Sequence, residues 1–151
     1  MYKRILVPID GSVPSELGAA EAILLARELK ATVRFLTLSG DFALMVEMST
    51  AHDFERYREG LHQLGRRLLD KASQRAAEQG VAAETALEDL RGSRVAEAII
   101  AEAKGSRCDL IVIGSHGRRG LSRAILGSDA EAVMRNSTIP VLLVHAPRNS
   151  S

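Results

Sequence analysis

The chain has 151 residues, 46% of them apolar, and a formal net charge of +1. This length suits one domain with a real core, and the near-zero charge argues against nucleic-acid binding, which needs clustered positive charge. No stretch reaches the roughly 18 to 20 apolar residues that span a bilayer. The apolar run near the N-terminus is too short for a signal peptide, so we expect a cytoplasmic protein. The single cysteine, Cys108, excludes an intramolecular disulfide framework, and we expect a buried, inert thiol.

The hydrophobic pattern alternates between strand and helix from end to end. In chain order it predicts a strand at 5–9, a helix at 12–29, a strand at 32–38, a loop or short helical turn at 42–52, a helix at 54–79, a strand at 81–87, a helix at 93–103, a strand at 109–113, a helix at 128–136 and a strand at 139–144.

Local signals fix the ends and faces of the predicted helices. Ser12 and Ser93 suit helix caps, Ser128 with Glu131 reads as a capping box, and Gly80 suits a helix stop. The long helix carries an apolar stripe that we expect to be buried: Leu61, Leu64, Leu68, Ala72 and Ala76.

Five strands separated by helices predict an α/β fold: a single-domain, doubly wound, five-stranded parallel sheet with helices on both faces. Ligands of such Rossmann-like sheets bind at the carboxyl ends of the strands, where the strand order reverses. We therefore expect Asp10 and Gly11, after the first strand, and residues 114–117, after the fourth, to form the walls of a crevice.

A glycine-spaced segment follows the fourth strand: Gly114-Ser115-His116-Gly117, then nine residues, then Gly127-Ser128. Glycines let the backbone turn and approach an anion closely, and the unpaired N–H groups of a following helix face that anion. The spacing differs from both the P-loop and the dinucleotide glycine motif. It therefore predicts a nucleotide site of another type, and the alternative is that these glycines serve only tight turns.

The pattern Gly-x2-Gly-x9-Gly-Ser resembles that of the universal stress protein family, in its ATP-binding branch. The resemblance extends to the segments 3–12, 108–114 and 139–144, so it covers nearly the whole chain. It implies one universal stress protein domain at 1–146, with a sheet of the adenine nucleotide alpha hydrolase type. We expect the tail at 147–151 to be frayed.

The resemblance also implies a binding site for ATP, ADP or AMP. In this site Pro8 lies under the adenine, the backbone of Leu38 meets the base edge, and Asp10 lies beside the ribose or a bound magnesium ion. Asp10 has the alternative role of capping the first helix.

The phosphate end of the implied site comes from the glycine segment. Gly114 and Gly117 cradle the phosphates, and Gly127 and Ser128 close over them. Arg118 screens the outer phosphates together with its neighbour at 119, or the two arginines form a solvated loop pair.

The family resemblance implies a nucleotide-dependent regulator of the stress response that lacks catalytic residues. The first alternative is an enzyme that slowly hydrolyses ATP or transfers a nucleotidyl group, and the second is a ligand-free interaction module. His116 is not expected to be catalytic, because the family carries histidine there without a known role as general base.

Two further features concern the phosphate state and the partner. Asp129 departs from the apolar residue usual in the family and would repel a triphosphate unless magnesium lies between them, so ATP, ADP and AMP stay open. The last strand, Pro140 to Val144, is apolar on both faces, and an exposed edge there would pair with another chain. The family is similar in this respect, which implies a homodimer through this strand.

Overall fold

The computed structural model describes residues 1–40, 51–115 and 127–145, with the backbone alone at 51–54. Strands and helices alternate in these ranges, and the predicted elements are confirmed with ends that differ by up to three residues. The elements are β1 (Arg4–Pro8), α1 (Val13–Leu29), β2 (Thr32–Ser39), α2 (Ala51–Glu78), β3 (Ala83–Asp89), α3 (Val95–Gly105), β4 (Leu110–Gly114), α4 (Ser128–Asn136) and β5 (Val141–Val144). Residues 42–50 of the predicted loop and the tail 147–151 lie outside the described ranges.

The strands form one five-stranded sheet in the order β3-β2-β1-β4-β5, and every neighbouring pair is parallel. The chain moves outward from β1 to β3 on one side and then crosses to β4 and β5 on the other. This reversal beside β1 confirms the predicted doubly wound fold and places a crevice between the carboxyl ends of β1 and β4. β3 and β5 are the edge strands.

Helices cover both faces of the sheet. α1 and α2 pack on one face around Phe35, and α3 and α4 pack on the other around Ile99. Apart from Phe35 and Cys108, the buried apolar side chains of the described residues are isoleucine, leucine, valine and alanine. Cys108 is buried as expected, and burial raises the pKa of its thiol. Among the described residues, no helix combines the length and apolarity that crossing a membrane requires.

Three details of the predicted helices need correction. Ser12 is the N-cap of α1, as predicted, but the N-caps of α3 and α4 are Arg94 and Gly127, and neither cap makes a side-chain hydrogen bond. The predicted Ser93 cap and the capping box from Ser128 are therefore wrong. Leu64 was expected in the core and is 49% exposed.

Charged side chains on the strands pair with one another toward the amino end of the sheet. Glu84 of β3 accepts hydrogen bonds from Arg4 of β1 and Arg34 of β2, and Arg34 also donates to Glu102 of α3 at 2.7 Å. The hydrogen bond from Arg4 and, less strongly, the contacts with Arg34 lower the pKa of Glu84 against the opposing effect of burial. This network lies at the opposite end of the strands from the crevice.

Candidate functional site

Two adjoining cavities open at the carboxyl ends of the strands. The smaller, of about 190 Å³, lies above β1 and β4 between the starts of α1 and α4. The larger, of about 1020 Å³, extends over β2 and β3 as far as α2 and the start of α3. Five lining residues are common to the two cavities, which therefore form one cleft: Asp10, Leu38, Leu90, Val95 and Asp129.

The cleft brings together six of the eight residues predicted for the site. Five line the smaller cavity and Ser128 lines the larger one; the five are Pro8, Asp10, Leu38, Gly114 and Gly127. The other two, Gly117 and Arg118, lie outside the described residues, as do His116 and Arg119.

The turn between β1 and α1 holds Asp10 at the cleft. Gly11 adopts φ of +83°, a left-handed conformation that suits glycine. The N–H of Ser12 donates to Asp10 Oδ1 at 2.9 Å, and the N–H of Ser15 donates to Ser12 Oγ at 3.3 Å. Ser12 therefore caps the helix, whereas Asp10 stabilises the turn and lines both cavities.

The end of β2 turns the main chain of Leu38 toward the cleft. The carbonyl of Ser39 accepts the N–H of Leu90 next to β3 at 3.0 Å, and the carbonyl of Leu36 accepts the N–H of Ile9 next to β1 at 2.8 Å. Main-chain groups alternate in direction along a parallel strand, so those of Leu38 point to the β1 side. Because β1 ends before this level, the N–H and carbonyl of Leu38 face the cleft.

The structure gives Gly114 a role in packing. A Cβ atom at this position would lie 1.9 Å from the carbonyl oxygen of Pro14, at the start of α1. The next residue, Ser115, is 1% exposed, and its Oγ lies 2.9 Å from Nδ1 of His145 beyond β5. The first glycine of the motif is therefore required for the contact between β4 and α1, whatever the cleft binds.

One wall of the cleft was not predicted. At 28 residues, α2 is about 42 Å long, whereas the seven residues of β3 span about 23 Å. The N-terminal half of α2 therefore extends beyond the sheet, and its apolar side chains line the larger cavity: Tyr57, Leu61 and Leu64. Leu68 lines this cavity too and also packs against the core. The signal in the sequence was the length of the helix relative to the strands.

The charged residues that line the cleft are few. Within the described ranges they are Asp10, Asp129 and Arg94, and no hydrogen bond or ion pair there engages the Arg94 guanidinium. Within those ranges, no group of three or more acidic, histidine or cysteine side chains could hold a metal ion. Magnesium usually takes one or two protein carboxylates and completes its shell with phosphate and water. Asp10 and Asp129 are carboxylates of this kind and would hold the ion next to a bound phosphate.

Fold and cleft together define a doubly wound α/β domain with a crevice at its topological switch point. The model of the universal stress protein family matches residues 1–145, and the chain belongs to this family.

Two relatives show the extent of the similarity. A universal stress protein of Methanocaldococcus jannaschii is 37% identical over 148 residues, which cover 98% of this chain and 85% of the relative. The universal stress protein YxiE of Bacillus subtilis is 33% identical over 150 residues, which cover 95% of this chain and 99% of the relative.

Solved structures share the fold. A universal stress family protein of Burkholderia pseudomallei, 28% identical, aligns with a TM-score of 0.79 over 96% of this chain and 97% of that one. A universal stress protein in complex with cAMP aligns at 0.70, with 24% identity over 97% and 99% of the two chains. A family member of Arabidopsis thaliana with AMP bound aligns at 0.69, with 19% identity over 98% and 93%.

Proposed function

We propose that this chain binds an adenine nucleotide in the cleft and acts as a nucleotide-dependent regulator of the stress response. The observation that carries the proposal is the direction of the Leu38 main chain, which presents one N–H and one carbonyl to a cavity at the switch point of the sheet. The N-terminus of α4 opens on the same cavity through Gly127 and suits an anionic phosphate. AMP and cAMP in two proteins of the same fold support this assignment.

The Leu38 main chain favours adenine over guanine. Adenine carries an amino donor at N6 beside the acceptor N1, whereas guanine carries the acceptor O6 beside the donor N1–H. The N–H and carbonyl of one residue therefore complement adenine and oppose guanine at both contacts. Each buried polar group left unmatched costs about 1–3 kcal/mol, so we expect a preference of about 100-fold for ADP over GDP.

The carboxylates of the cleft bear on the phosphate state. Asp10 beside the ribose and Asp129 in the first turn of α4 both oppose additional phosphate charge, so a triphosphate would bind with magnesium and a monophosphate without it. The order of affinity among ATP, ADP and AMP is therefore expected to depend on magnesium.

Calorimetric titration of the purified protein with ATP, ADP, AMP and GDP, with and without magnesium, tests the proposal. Mass spectrometry of small molecules released on denaturation provides an independent test. We expect about one adenine nucleotide per chain and weak GDP binding. Equal affinities for ADP and GDP would refute the role of Leu38, and no binding at millimolar concentration would refute the function. Slow hydrolysis of bound ATP would instead indicate the enzymatic alternative.

The variant Gly117→Val tests the phosphate end of the proposed site. Valine at this position would fill the space that the family resemblance assigns to phosphate, so ADP binding should be lost while the fold is kept. Gly60→Ala is a matched control, because Gly60 lies in α2 with open space around it. Unchanged ADP affinity in the valine variant would mean that the phosphates lie elsewhere.

We further propose that β5 forms a homodimer. β5 is an edge strand, and Leu142 on it is 39% exposed, so its backbone and an apolar side chain are available to a second copy. Sedimentation at micromolar concentration tests this, and a monomer would count against it. The cytoplasmic location stays a prediction.

A further inference from the structure

A cluster of polar side chains lies beside the cleft at the ends of β2 and β3. Its centre is Asp89, the last residue of β3, whose carboxylate accepts three hydrogen bonds. The donors are Ser39 Oγ at 2.7 Å, His62 Nε2 at 2.7 Å and Arg58 Nη2 at 2.8 Å. Burial favours the neutral acid, but these hydrogen bonds outweigh it and hold the pKa of Asp89 well below its usual range. We call these four residues the Asp89 cluster.

The cluster joins the two parts of the molecule that form the base end of the cleft. Ser39 follows Leu38 directly and makes two hydrogen bonds. Its carbonyl accepts the N–H of Leu90, and its hydroxyl donates to Asp89. The end of β2 is thereby fixed next to β3.

On the other side, Arg58 and His62 belong to the half of α2 that extends beyond the sheet. They stand directly after Tyr57 and Leu61, which form the apolar wall of the larger cavity. Gly65, one turn further along, packs so closely that an added Cβ would lie 2.8 Å from Leu87 Cδ1. Gly65 therefore anchors the helix at the edge of the sheet, and the Asp89 cluster holds the part beyond it.

We propose that the Asp89 cluster positions the base end of the nucleotide site, by fixing the Leu38 main chain and the Tyr57–Leu61 wall relative to each other. Asp89, Arg58 and His62 are positioning residues in this assignment and do not touch the ligand. The inference rests on the proposed function, because it takes the base to lie between Leu38 and α2. It predicts that the cluster controls affinity for the base and leaves affinity for phosphate unchanged.

The test compares Asp89→Asn with Glu84→Gln, since Glu84 is an ion-paired carboxylate of the same strand at the opposite end of the sheet. The probes are ADP and inorganic pyrophosphate in calorimetric titration. We expect Asp89→Asn to weaken ADP binding about tenfold, the factor that corresponds to one hydrogen bond to a charged group. Pyrophosphate affinity should not change, and Glu84→Gln should bind both probes like the parent. Equal ADP affinity in the two variants, or a parallel loss of pyrophosphate affinity, would overturn the inference.

Hydrogen exchange separates this inference from the proposed function. In Asp89→Asn, amides at 55–65 should exchange faster while those at 69–78 stay as in the parent, and this readout needs no ligand. Uniform acceleration along α2 would mean general destabilisation and would overturn the inference. If Asp89→Asn does not fold, His62→Leu and His62→Gln replace it, and only the glutamine variant, which keeps a donor, should retain ADP affinity. Failure of the parent to bind ADP would refute the proposed function, while local protection by the cluster would still be measured.

Discussion

Substituting Gly114 separates a packing requirement from a binding role. In Gly114→Ala the new Cβ would lie 1.9 Å from the Pro14 carbonyl oxygen and 2.5 Å from the Pro14 carbonyl carbon. A carbon and an oxygen in ordinary contact are separated by more than about 3.2 Å, so β4 and the start of α1 must move apart by roughly 1.3 Å. Both Pro14 atoms belong to the main chain, so no change of side-chain rotamer relieves the clash.

The size of the effect follows from two opposing contributions. Overpacking in a well-packed interior costs about 1–3 kcal/mol, and we take the upper end because both elements have to shift. Replacing glycine by alanine lowers the conformational entropy of the unfolded chain, which offsets this loss of stability by about 0.4–1 kcal/mol. The net expectation is a loss of about 2 kcal/mol in the free energy of unfolding, which for a domain of this size lowers Tm by roughly 4–8 °C.

Urea unfolding followed by far-ultraviolet circular dichroism measures this loss. The control is Gly60→Ala, because an added Cβ in that part of α2 meets nothing within 4 Å. Alanine is the better helix former, so the control should gain about 0.5–1 kcal/mol. If Gly114→Ala unfolds at the urea midpoint of the parent, the contact between β4 and α1 does not have the assigned role. If the loss is found, weaker nucleotide binding by Gly114 variants is no evidence for a ligand contact.

Three further predictions concern charge and assembly. In calorimetry without magnesium, Asp129→Val should raise the affinity for ATP more than that for AMP, and equal gains would refute repulsion by this carboxylate. Because the pKa of Asp89 is lowered in the folded state, its carboxylate stabilises the fold above its ordinary pKa of 3.8, and this contribution disappears as the pH falls below that value. The difference in urea stability between the parent and Asp89→Asn should therefore shrink from about pH 5 to about pH 2, and a constant difference would contradict the linkage. Leu142→Lys on β5 should produce a monomer in sedimentation if that edge forms the dimer, and an unchanged mass would exclude it.

The sequence was sufficient to predict the fold because continuous apolar runs mark the buried strands and apolar residues at helical spacing mark the helices. In the apolar run of β4, Val112 packs on one face of the sheet, whereas Ile111 and Ile113 pack on the other face with Ile99 of α3. Helix starts were harder, because a capping signature depends on which residue has the extended conformation. At α4 that residue is Gly127, so Ser128, with its glutamate partner three residues on, lies inside the helix.

The predicted residues that line the cleft lie at or just after strand ends, or at the start of α4. The family resemblance implied the roles of Pro8 and Leu38, whereas Gly114 belongs to the glycine-spaced segment after the fourth strand. A parallel sheet brings these strand ends together. The α2 wall and the Asp89 cluster are absent from the prediction, because their position depends on how far a helix extends past the strand it covers. That distance depends on the length of the helix, the length of the strand and the position at which the two pack. The hydrophobic pattern of the helix or of the strand alone does not determine it.

The charge of the cleft limits the ligands that it favours. Two carboxylates, Asp10 and Asp129, face one guanidinium, Arg94, among the described lining residues, so their sum is one negative charge. A helix N-terminus supplies roughly half a positive charge, and α3 and α4 both begin at this cleft. The result is close to neutral, which suits a base and a ribose and gives little net attraction to a second or third phosphate. Selectivity for the nucleotide should therefore come from the base end of the cleft, where Leu38 and the Asp89 cluster lie, and magnesium should decide how many phosphates are accepted.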